Sequence, residues 1–155
     1  MRSPGINIFV AITITAVIQM ISCAPESCLE ETVANVKVPL YLNSTQKIKA
    51  PDSLIIYGLS RASDKLYNSA KRTTQADLPL NPSTESCGFV IRINRVPDTI
   101  MIKYESYPHL ISKECGYTYF HTIDSISYTK HIIDTIIIMN RLVTTVDEEN
   151  FRILY

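Results

Sequence analysis

The strongest constraint on this chain is a periodicity of two. Between Gly88 and Asn94, Phe89, Ile91 and Ile93 fall on one face; between Thr99 and Ser106, Ile100, Ile102 and Tyr104 do the same, with Lys103 and Glu105 opposite. Successive side chains of a strand point to opposite faces, so only extended backbone gathers such runs on one buried side. Val96-Pro97-Asp98 lies between them and reads as a turn, which predicts a hairpin. Thr32–Tyr41 alternates too, with Val36, Val38 and Leu40 against Asn35, Lys37 and Pro39, and Pro39 predicts an edge strand. Ser53–Leu59 is a short apolar run ended by Gly58, and residues 60–77 read as a long polar excursion. Tyr107-Pro108-His109 is expected to break the pattern before Gly116–Thr122 resumes it. Within Ile132–Leu142, the stretch Ile136-Ile137-Ile138-Met139 predicts a strand covered on both faces. Phe151, Ile153 and Tyr155 form a last alternating run. Ile, Thr and Tyr are abundant and no amphipathic helix is visible. Seven or eight one-sided strands call for an all-β antiparallel β-sandwich, with a small β-barrel as the alternative. Strands this few and short do not fit a membrane-spanning barrel.

The first residues obey other rules. Arg2 is followed by an uncharged apolar run from Ile6 to Ile21, a basic-then-apolar layout that reads as a signal peptide. Its length of about 16 residues falls short of a bilayer-spanning helix. The run ends in Met20-Ile21-Ser22-Cys23, which resembles the bacterial lipobox, with Met20 in place of the preferred leucine. That resemblance implies a diacylglycerol on the Cys23 thiol and cleavage before it. Ordinary signal-peptidase cleavage after Ala24 is the competing reading. The expected organisation is a lipoprotein signal peptide over 1–22, a tether over 23–31 and one sandwich domain over 32–155. Removing 22 residues leaves 133, enough for a self-sufficient core, with 14 basic and 15 acidic residues. A balance this even argues against nucleic acid as a partner.

The cysteines follow from that address. Cys23, Cys28, Cys87 and Cys115 are four, and a lipid on Cys23 leaves three in an oxidising compartment. A disulfide between Cys28 and Cys115 is expected, closing an 87-residue loop that stabilises by roughly 4–5 kcal/mol at most through chain entropy. Cys87 is then a free thiol; pairing of Cys87 with Cys115 remains the alternative.

No catalytic or cofactor constellation emerges. His109, His121 and His131 with Cys115 match no metal-ligand spacing. Glu30-Glu31 and Asp147-Glu148-Glu149 are sequence neighbours that point in different directions, and Arg61, Lys65, Lys71 and Arg72 read as a solvated face. No glycine-flanked nucleophile turn occurs. One recurrence stands out: Asp52-Ser53-Leu54, Asp98-Thr99-Ile100, Asp124-Ser125-Ile126 and Asp134-Thr135-Ile136 each read Asp, hydroxyl, aliphatic. The pattern looks like the O-glycosylation acceptor of exported Bacteroidetes proteins, which would mark Ser53, Thr99, Ser125 and Thr135; Asp-Thr before a β-branched strand start is equally ordinary turn chemistry.

With the Cys28-x-Glu30-Glu31 tether, VKVPLY, SLIIYGL, DLPLN, DTIMIKY, SKECGYTY and the terminal ENFRILY in place, the chain resembles a family of small uncharacterised Bacteroidetes lipoproteins over nearly its whole mature length. The resemblance implies location and a β-rich fold and carries no catalytic residue. The expectation is a non-enzymatic, lipid-anchored cell-envelope protein, on the outer membrane, acting as an interaction or accessory module and needing no cofactor. A glycan-binding surface lipoprotein, using its tyrosines, and a hydrolase whose site shows only in three dimensions are the alternatives.

Overall fold

The structure, a computed structural model, describes residues 27–155. The strands are β1 (Asn35–Leu42), β2 (Lys47–Ile48), β3 (Leu54–Gly58), β4 (Lys65–Ala70), β5 (Gln75–Pro79), β6 (Ser86–Ile93), β7 (Val96–Ser112), β8 (Gly116–Tyr128), β9 (Thr135–Ile138), β10 (Leu142–Val143) and β11 (Phe151–Leu154), and the described residues contain no helix. They form two sheets, as the alternation requires. The smaller runs β2-β1-β11-β9, with β5 also paired to β1; the larger runs β10-β8-β7-β6-β3-β4 and curls like half a barrel without closing. Between them lies one core. Val36, Val38, Leu40, Ala76, Leu78, Phe151 and Ile153 come from the small sheet; Leu54, Ile56, Phe89, Ile91, Ile93, Ile100, Ile102, Tyr104 and Ile123 come from the large one. Full burial of each such Ile, Leu or Phe stabilises by roughly 1.5–3 kcal/mol.

The all-β sandwich reading holds, with eleven strands instead of seven or eight, and four local expectations need correction. First, β1 is central. β5 and then β2 occupy one side, and β11 runs parallel to it on the other from Leu40↔Ile153. Pro39 is tolerated because that parallel ladder begins just after it; Lys37 is served by the Asn150 side chain, whose Oδ1 accepts its N–H at 2.8 Å. Second, residues 60–77 contain β4 and the start of β5. Third, β7 runs through Tyr107-Pro108-His109 to Ser112. The Tyr104 N–H donates to Glu85 O on the β6 side, so by parity the Pro108 nitrogen faces that side too, and β6 ends its pairing at Lys103. No ladder donor is lost. Fourth, β9 is covered on one face only, with Ile137 and Met139 exposed.

The hairpin turn also lies elsewhere than expected. Asn94 and Arg95 form it, both left-handed at φ 48° and 78°, and Val96-Pro97-Asp98 already belongs to β7. Asn94 suits the position, and its Oδ1 accepts the Asp52 and Ser53 N–H groups at 2.9 and 3.3 Å.

Asp98, freed from the turn, is buried and organises the molecule. Its carboxylate accepts from the Thr129 hydroxyl, from the N–H groups of His131 (3.0 and 3.1 Å), Ile132 (2.8 Å) and Ile133 (2.9 Å), and pairs with His131 Nδ1 at 2.8 Å. These residues make the crossing from β8 in the large sheet to β9 in the small one. Burial alone would raise the Asp98 pKa, but the Thr129 hydroxyl and the amides of Ile132, Ile133 and His131 override it and hold the group at about 2.

Two predictions follow from these contacts. Arg95→Gly should stabilise by about 0.5–1 kcal/mol, since relief of a left-handed side chain outweighs the entropy glycine adds to the unfolded chain; a thermal melt lower than wild type would contradict it. Asp98 has a folded pKa below its unfolded one, so its stabilisation, about 2 kcal/mol, is full above pH 4 and fades as pH falls toward 2. Urea titrations across that window should show the loss in wild type and a flatter response in Asp98→Asn, which at neutral pH should be weaker by about 2–3 kcal/mol.

Candidate interaction surface

The β7–β8 hairpin outgrows the sandwich. β6 pairs with β7 only as far as Lys103, whereas β7 and β8 remain paired out to Ser112↔Gly116. Side chains that face each other across an antiparallel pair share a face. Along the buried face, Ser106 sits opposite His121, with its Oγ 2.8 Å from His121 Nδ1, and the His121 ring meets Tyr104 edge-on at 5.4 Å. Burial lowers the His121 pKa, which favours the uncharged ring. Further out the same face continues as Pro108 opposite Tyr119 and Leu110 opposite Tyr117. Here the small sheet has ended: Leu110 is 48%, Tyr119 47% and Tyr117 74% exposed. The other face is held by Phe120, stacked on His109 at 4.1 Å and met edge-on by Tyr107 at 6.3 Å. The hairpin is therefore stiffened on one face and bare on the other.

Its tip is tied back to the start of the domain. Gly116 takes φ +74°, a conformation glycine adopts freely, and the Cys115 N–H donates to Ser112 Oγ at 3.1 Å. Cys28 and Cys115 stand as a disulfide pair with Cα atoms 4.8 Å apart, and the Thr118 hydroxyl donates to Thr32 O at 2.7 Å. Leu29, next to the bridge, is 92% exposed.

A cleft of about 680 Å³ lies between the β3–β4 and β5–β6 connections and is lined by Leu59, Arg61, Asp64, Asn81, Cys87 and Met101 among others. Gly88 sets its depth, since a Cβ there would come within 2.6 Å of Met101 Sδ and 3.1 Å of Leu59. Cys87 is a free, half-buried thiol, and no histidine lines the cleft to act on it. Behind it the buried Tyr104 hydroxyl donates to Asn81 O at 2.9 Å and accepts the Asn81 N–H at 3.1 Å, which pins the loop after β5. Burial, with Cys87 alongside, pushes the Tyr104 phenol up.

The remaining sequence candidates are dispersed. Cys23 and the segment expected to be a signal peptide lie outside the described residues. His109, His121 and His131 sit in the three separate settings given above, and the described residues hold no group of three His, Cys, Asp or Glu placed to bind a metal. Asp147 goes to Lys37 (3.5 Å) and accepts from Gln75 Nε2 (3.2 Å), Glu148 goes to Asn140 (3.0 Å) and Glu149 to Arg152 through two bonds of 2.7 and 2.9 Å, so no two residues of the acidic run share a partner. Arg61, Lys65, Lys71 and Arg72 are exposed, as are Ser125 and Thr135, whereas Ser53 and Thr99 are half-buried. The Thr99 motif shares its Asp98 with the carboxylate network. Sequence reasoning missed both that network and the bare hairpin face. Tyr117 and Tyr119 were visible as an alternating pair, but that they overhang shows only in the unbroken β7–β8 pairing beyond Pro108, where a break in the pattern was expected.

No curated protein and no solved structure matches this chain. Residues 53–155 match the Family of unknown function (DUF6452), a stretch that takes in β3 to β11, the whole large sheet and the overhanging hairpin, and leaves β1, β2 and Cys28 before it. The match covers about two thirds of the sequence, and the chain belongs to this family.

Proposed function

We propose that the protein is a non-enzymatic accessory module of the cell envelope, exported, held by a lipid on Cys23 and seated on the outer membrane of a Bacteroidetes-type cell. The observation that carries this reading is the Cys28–Cys115 pair. Structural disulfides persist in oxidising compartments, and this one begins five residues after the lipobox-like cysteine. It joins the start of the described residues to the far end of the longest hairpin, an arrangement that suits a domain pulled or oriented from its N-terminus. Its working surface is the bare face of β7–β8. The exposure of Ser125 and Thr135 supports the view that glycans are added there in such a host.

A glycan-binding role is the second reading, favoured by Tyr117 and Tyr119, which are two residues apart on one strand and so share an exposed face. Aromatic platforms of this kind stack on sugar rings through their apolar faces.

Metabolic labelling with a fatty-acid analogue should mark the wild-type protein and leave Cys23→Ala unlabelled; equal label in both would overturn the anchored reading. Non-reducing peptide mapping of the native protein should yield one peptide linking Cys28 to Cys115. Recovery of a Cys87 cross-link instead would refute the pairing, and loss of the native bridge should cost about 4 kcal/mol of stability.

A further inference from the structure

We infer that the overhanging end of the β7–β8 hairpin is a second membrane contact, which rests its bare aromatic face on the lipid headgroup layer and sets the tilt of the domain. The inference rests on the anchored reading above. Five residues separate Cys23 from Cys28, and a chain spans at most about 3.6 Å per residue, so the bridge lies within about 18 Å of an acylated Cys23. The disulfide carries that limit across to Cys115, 4.8 Å further on. No other part of the large sheet is tied so closely: Val96, at the opposite end of β7, is sixteen residues of strand away.

The residues held at this end are those that an interface selects. Tyr117 and Tyr119 are amphipathic rings, the side-chain type enriched where membrane meets water. Leu110 and Pro108 complete their face, and Leu29 stands exposed beside the bridge. A tethered surface meets the bilayer at high effective concentration, so even a weak apolar contact is populated. Charge sets the depth. Lys113 and Glu114 offset each other in the turn, and the exposed Glu30 and Glu31 stay in water, so the contact is shallow and does not depend on anionic lipid.

The chain has no tryptophan, so a single one reports its own environment. Lipidated full-length protein carrying Tyr117→Trp, or Tyr119→Trp should the first fail to fold, would be reconstituted into phosphatidylethanolamine–phosphatidylglycerol vesicles with and without brominated acyl chains. Val96→Trp serves as the distant control, and intact mass and flotation report the anchor separately. The expected result is a blue-shifted emission and about twofold quenching at position 117, unchanged at high salt where the Debye length falls to about 3 Å, with no quenching at position 96. Adding Leu110→Asp should abolish the quenching while flotation persists. Lipidated, floating protein with equal emission at both positions would overturn this contact and leave the anchor standing. A mass without lipid would overturn the anchor and this contact together. A blue shift induced by soluble oligosaccharide without quenching in vesicles would overturn it in favour of the glycan-binding reading.

Discussion

The carboxylate of Asp98 is the constraint on which the two-sheet arrangement depends. A sandwich built from one chain must pass from sheet to sheet, and each passage exposes backbone donors that neither ladder satisfies. Between β8 and β9 those donors are the N–H groups of His131, Ile132 and Ile133, and one ionised side chain from β7 takes all three together with the Thr129 hydroxyl. A charged acceptor makes stronger bonds than a neutral one, and it also fixes direction, because the crossing can satisfy it in only one conformation. Directly after it, the Asp134 N–H donates to Leu154 O and β9 begins to pair with β11. The small sheet is thus positioned against the large one from a single atom group in the large one.

Asn150 plays the matching part in the small sheet. It is buried, its Oδ1 and N–H serve the backbone of Lys37, and its amide nitrogen donates to Asn140 O and Leu142 O at 3.2 and 2.7 Å. Where Asp98 uses charge, Asn150 uses its mixed donor and acceptor inventory to join β1, β10 and the start of β11. Both residues place polar groups inside a largely apolar core, and both are satisfied, so neither carries the penalty of an unpaired buried group. Apolar burial supplies the driving force, and these two residues decide which packing of the strands it drives.

That division explains what was legible in the sequence. Hydrophobic alternation is a local property, so β1, β3, β6, the first half of β7, β8 and β11 could be read from spacing alone. β4 could not. Its inward anchors are Tyr67, half-buried, whose hydroxyl accepts the Asp77 N–H at 2.9 Å, and the small Ala70; the remaining side chains are exposed. The extension of β7 beyond Pro108 was hidden because the cost of a proline depends on which edge its nitrogen faces, and that follows from where β6 stops. Asp98 was misread for the same reason: four Asp-hydroxyl-aliphatic triplets look alike in sequence, and only the fold brings Thr129 to Ile133 around one of them. Cysteine accounting, by contrast, led to the pair found together. The overhanging face was present as Tyr117 and Tyr119, yet a strand pattern does not say whether anything covers it.

The parallel pairing of β1 with β11 has a consequence in time. β11 is the last strand in the order, and it lies between β1 and β9. The small sheet therefore lacks its middle until β11 has been made, and β1, β2, β5 and β9 have to wait as unpaired or half-paired strands. Such long-range closure is slow and comes late. The sandwich therefore cannot shut on its earlier strands alone: a chain cut short before Phe151 would leave β1 and β9 with open edges where β11 belongs, ready to pair with another copy.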